Sequence, residues 1–72
     1  MRISIAADGD RWTIDRRGAA MAVTREGLLG GAVFWKGRAR DWEARGRPKC
    51  IKAGVPTPVI AHATLAALGI AP

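Results

Sequence analysis

The dipeptide Asp8-Gly9 stands between two short runs, RISIAA and DRWTID, in which apolar and polar residues alternate. Asp and Gly both accept positive φ, so the pair closes a two-residue hairpin and decides which residues face each other. Ile5 then lies opposite Trp12, and Ile3 opposite Ile14. A second turn expected at Arg17-Gly18 sets Ile14 against Met21 and Trp12 against Val23. The expected rows are Ile3–Ile14–Met21 and Ile5–Trp12–Val23 on one face of a three-stranded meander over residues 1–24. Arg2, Ser4, Arg11, Thr13 and Asp15 fall on the other face, toward solvent.

One apolar sheet face needs a cover. Leu28, Ala32, Trp35, Ala39 and Trp42 recur at alternating spacings of four and three, which predicts an amphipathic basic helix over residues 25–46. Thr24 would cap it, Glu26 would sit in its first turn, and Asp41–Arg45 and Glu43–Arg47 would pair along it. Gly27, Gly30, Gly31 and Gly37 each cost such a helix about 1 kcal/mol, and a fourth strand over GAVFW is the competing reading. Residues 47–56 read as a loop. An apolar helix follows over residues 57–69, with Thr57 as cap, Pro58 at its first position and Gly69 ending it. The expected fold is α+β: a three-stranded antiparallel β-meander followed by two α-helices (β-β-β-α-α), as a single small domain over residues 1–72. At 72 residues, folding buries only about 60% of the unfolded surface.

The formal charge of +6 is unevenly placed. Residues 1–35 carry a net +1, residues 36–52 a net +5, and no Lys, Arg, Asp or Glu follows. A positive potential so concentrated attracts polyanions. No apolar run is long enough for a membrane span, and the start of the chain reads as a strand rather than a signal peptide. Cys50 is the only cysteine, which suits a reducing, cytoplasmic setting.

Within the basic stretch lies RGRPK, Arg45 to Lys49. It resembles the core of an AT-hook, and the resemblance covers these five residues and nothing else. What it implies is Gly-Arg-Pro lying extended in the minor groove of A·T-rich DNA, with Arg45 and Arg47 inserted. The same residues also spell a helix end, with Arg45 in the last turn, Gly46 as a left-handed cap and Pro48 as the stop. That second reading is the expected one. Trp12, Trp35 and Trp42 could stack on bases if exposed, but all three fall on faces expected to be buried.

Catalysis finds little footing. Cys50 and His62 are single and lack evident partners, too few for a zinc site or an activated nucleophile. A calcium loop starting at Asp8 would need glutamate where Ala19 stands, and a phosphate loop at GGAVFWKG would need glycine where Trp35 stands. The expectation is therefore a non-enzymatic binding protein without cofactor or metal. It would contact nucleic acid, DNA rather than RNA, through Lys36, Arg38, Arg40, Arg45, Arg47 and Lys49. The alternative is an inhibitor of a host protein or protein–nucleic acid machine. In size and in lacking a catalytic constellation the chain looks like the accessory proteins of phages and mobile elements, anti-CRISPR proteins among them. Val59, His62, Leu65 and Leu68 of the last helix would then form a partner interface or a homodimer seam.

Overall fold

The computed structural model describes residues 1–70, so the last two residues of the expected 1–72 domain lie outside it. Four strands form one antiparallel sheet in chain order: β1 (Arg2–Ala7), β2 (Asp10–Arg17), β3 (Ala20–Arg25) and β4 (Ala32–Arg38). A 3-10 turn (Ala39–Asp41), a π-helical turn (Trp42–Gly46) and helix α1 (Arg47–Lys52) follow without interruption, and helix α2 (Thr57–Ala67) is the last element among the described residues. Both helices and the turns leading into α1 pack on one face of the sheet.

The first hairpin forms as expected. Asp8 and Gly9 have φ of 52° and 79°, Ile5 faces Trp12, and Ile3 faces Ile14. The second turn falls one residue later than expected. Gly18 takes positive φ (58°) at the first central position and Ala19 does not, the pattern of a type II′ turn, which needs positive φ only there. Moving the turn by one residue slips the pairing by two, so Ile14 faces Val23, Met21 faces Arg16, and Trp12 faces Arg25. Because the slip is even, every side chain keeps its face. The central core row becomes Ile3–Ile14–Val23–Trp35, across all four strands.

The expected helix over residues 25–46 is replaced by the end of β3, a loop, strand β4 and two short helical turns. Glycines at 27, 30 and 31 belong to that loop, where Gly30 has φ of 123°. A β-bulge disguised the strand. Val23 faces Trp35 while Thr24 faces Val33, which leaves Phe34 unpaired. Phe34 and Trp35 therefore both reach the core side, Phe34 meeting Trp12 edge-on at 5.0 Å. Glu26, expected in a first helical turn, instead folds over the opposite face. There it accepts a 2.6 Å hydrogen bond from Thr13 Oγ1 and lies 3.5 Å from Arg2, so Thr13 is buried rather than solvated.

Trp12, Trp35 and Trp42 are all buried, as expected. Trp42 meets Trp35 edge-on at 5.5 Å and donates a 3.0 Å hydrogen bond from Nε1 to Thr64 Oγ1 on α2. Two glycines make room for Trp35. A Cβ on Gly37 would fall 2.7 Å from its ring, and one on Gly46 would fall 2.6 Å from it.

Helix α2 begins at Thr57 with Pro56 at the cap position, and Thr57 makes no side-chain cap bond. Its C-terminus closes as expected at Gly69 (φ 77°), where Gly69 N donates to Ala66 O and Ile70 N to Leu65 O. Arg16, on the core side of β2, adds a second closure: its Nη1 donates to Ala66 O at 2.6 Å and Ala67 O at 2.9 Å. A cation at exposed helix carbonyls satisfies both their lone pairs and the helix dipole. Arg16→Met keeps the stem and removes those bonds. It is expected to cost about 2 kcal/mol, read as a lower urea midpoint with an unchanged slope.

Candidate nucleic-acid interface

The face of the sheet away from the helices is open, and its residues follow from the register. One row runs Arg2–Asp15–Ala22–Lys36, and the next runs Arg17–Ala20–Arg38. Strands β2 and β4 are two spacings apart, about 10 Å. Between them Ala20 and Ala22 floor an open depression of 580 Å³, with Asp15 and Arg17 on one wall and Lys36 and Arg38 on the other. Arg17 is held 3.3 Å from Asp15. Lys36 and Arg38 have no acid within 4.0 Å among the described residues.

The other expected contact residues lie on the helical layer. Arg40 belongs to the 3-10 turn, Arg45 to the π turn, and Arg47 and Lys49 to α1, all of them exposed. Arg38 and Arg40 line a smaller depression of 330 Å³ with Arg16 and Ala39, which joins the two groups where β4 runs into the helical layer. Two of the six cations thus lie on the open face and four on the helical layer, and across the two groups it is Arg38 and Arg40 that line a common depression. None of the four is within 4.0 Å of a described carboxylate. The expected Asp41–Arg45 and Glu43–Arg47 pairs do not form, because a 3-10 turn running into a π turn lacks the α-helical repeat that stacks residues four apart.

RGRPK is neither extended nor the end of a helix. Gly46 has φ of −68° and ψ of −50°, ordinary right-handed helix, and Pro48 sits in the first turn of α1. Arg47 N donates to Trp42 O, five residues back. The proline ring would press on the carbonyl four residues before it, and the wider π turn relieves that conflict. Gly46 is buried, and a Cβ there would lie 2.5 Å from Trp42 Cε3. It is glycine because two indoles occupy the space a side chain would need, not because it caps a helix.

Val59 does not belong to a partner interface. It is wholly buried against the sheet with Ile60, Ala63 and Ala66. Leu65 and Leu68 are exposed on the outer side of α2 and His62 is half-buried, so part of the expected apolar seam remains open. Cys50 is buried, and burial pushes its thiol pKa up, with Lys49 opposing, so it stays a protonated core residue. Among the described residues no cluster of His, Cys, Asp or Glu could hold a metal ion, and no helix is long and apolar enough to cross a membrane.

Sequence reasoning overlooked Arg2 and Arg17, which join Lys36 and Arg38 only through the sheet register. The signal was available in the second hairpin. With its turn at Gly18-Ala19, Arg17 falls opposite Ala20 and one strand from β4. Set against protein-family models, curated proteins and solved structures, the chain matches none of them.

Proposed function

We propose that the protein is a non-enzymatic, nucleic-acid-associated binding domain that holds duplex DNA by its phosphates. One observation carries this reading: Lys36, Arg38, Arg40, Arg45, Arg47 and Lys49 are all exposed and free of ion pairs among the described residues. Cations kept for solubility gain from nearby carboxylates, whereas cations kept for a polyanion are best left unpaired. The three tryptophans are buried and Phe34 is half-buried against Trp12, which leaves little aromatic surface on which bases could stack. Recognition by phosphate contact follows, with little direct reading of sequence. Groove insertion by Arg45 and Arg47 would require unwinding the π turn and α1 and withdrawing Gly46 from beneath the two indoles.

The test is a titration of fluorescent A·T-rich and G·C-rich duplexes at two salt concentrations. If about four cations meet phosphates, affinity falls on the order of 10²-fold between 50 and 200 mM salt. The double charge reversal Arg45→Glu with Arg47→Glu flattens that dependence. Equal affinity for the two duplexes supports phosphate contact, and a marked A·T preference supports the groove-inserting hook. No binding at low salt ends the nucleic-acid reading.

A second reading is favoured by the apolar outer side of α2, where Leu65 and Leu68 are 39% and 67% exposed. On it the protein is an inhibitor or adaptor that docks on a protein partner, with that helix as anchor. Leu65→Glu separates the two readings, since it abolishes partner binding and leaves the salt-dependent duplex binding intact.

A further inference from the structure

Leu28 and Leu29 are the two most exposed large apolar residues among those described. They stand at the tip of the β3–β4 loop on a formed turn, in which Gly30 N donates to Gly27 O at 3.3 Å. Gly27 is required there, because a Cβ would lie 2.5 Å from Gly30 O. The tip is thus a shaped protrusion carrying adjacent apolar side chains that none of the described residues covers. Such exposure marks a contact site.

The same sheet carries a matching recess. The depression over Ala20 and Ala22 lies toward the opposite end of β3 and β4 from the tip, and its floor is apolar. The charges are complementary as well. Arg17, Lys36 and Arg38 wall the recess together with Asp15, which pairs with Arg17 and leaves a net charge of +2. Beside the tip, at the same end of the sheet, the β1–β2 turn carries Asp8 and Asp10, neither in an ion pair among the described residues. Counting Arg11, Arg25 and Glu26, that end has a net charge of −1.

We propose that the Leu28-Leu29 tip of one copy seats in the Ala20/Ala22 recess of the next, so that the protein self-associates head to tail. Knob and recess lie at different places on one chain, which makes the contact heterologous, able to propagate into chains rather than stop at a two-fold dimer. The inference is independent of nucleic-acid binding, although both use Lys36 and Arg38.

Sedimentation without nucleic acid tests it. Wild-type protein is expected to gain mass continuously up to about 1 mM, the range of a weak apolar contact. A tip variant, Leu28→Ser with Leu29→Ser, and a recess variant, Ala20→Gln with Ala22→Gln, should each be monomeric, with association weakened roughly a hundredfold. Buried tryptophan fluorescence verifies that both are folded. Mixing them is the decisive step. The intact recess of one meets the intact tip of the other, so a one-to-one complex forms and goes no further. A wild-type mass that stays monomeric, a mixture that stays monomeric, or association lost through Leu65→Glu while the tip variant retains it would each overturn the proposal.

Discussion

Trp42→Ala is expected to remove about half or more of the stability of the fold. Trp42 is wholly buried where β4, the π turn and α2 meet, with its ring against Trp35 and its Nε1 on Thr64 Oγ1. Replacing a buried Trp by Ala costs about 3–5 kcal/mol, most of it through a cavity the surroundings cannot fill. A chain of 72 residues has about 4–10 kcal/mol of stability in total, and the smallest domains sit low in that range. Trp42→Phe is the companion variant. It keeps an aromatic ring on Trp35, gives up the hydrogen bond to α2, and is expected to cost about 1–2 kcal/mol. Far-UV circular dichroism against temperature measures both. An Ala variant melting within a few degrees of wild type would falsify the placement of Trp42 at the centre of the fold.

Gly46→Ala carries the second large effect, and its sign is informative. Gly46 has right-handed helical φ and ψ, where replacing glycine by alanine ordinarily gains about 1 kcal/mol. Here the added Cβ would stand 2.5 Å from Trp42 Cε3 and 2.6 Å from Trp35 Cδ2. Two buried rings cannot give way together, and overpacking of this kind costs about 1–3 kcal/mol or more. A net loss of about 2 kcal/mol is expected in urea unfolding. A double-mutant cycle identifies the cause. Trp35→Phe shrinks one ring, so Gly46→Ala should be less damaging in that background than alone. A net stabilisation by Gly46→Ala would mean that the indoles are not packed on the glycine.

These same residues show why the sequence was legible in some places and opaque in others. The Asp8-Gly9 hairpin was readable because its turn geometry and the alternation on either side specify one register. The β2–β3 turn was ambiguous because Gly18 can occupy either central position, and a one-residue difference moves every pair by two. Strand β4 was misread as helix because the bulge at Phe34 puts two neighbouring aromatics on one face and breaks the period of two. Only Ala39 and Trp42 from the supposed helical stripe lie on helical turns and in the core. RGRPK misled in a different way. Glycine followed by proline reads as a stop by local rules, but what settles Gly46 is contact with two tryptophans, one of them eleven residues away. In the candidate site, the cations of residues 36–52 were found from charge density alone, whereas Arg2 and Arg17 needed the correct sheet.

The order of the sheet also bears on how the molecule assembles. Every strand pairs only with its neighbours in the chain, so each pairing closes a short loop. Hairpins of this kind form in about 1–10 μs. The helical layer arrives over much longer separations, its Arg16–Ala66 link bridging 50 residues, and loop closure makes such contacts the slower step. The chain has three tryptophans and no tyrosine, and all three indoles lie at the seam between sheet and helices. Intrinsic fluorescence in a refolding experiment therefore reports the docking of the helices through Trp35 and Trp42, while Trp12, packed on Phe34, also responds to assembly of the sheet.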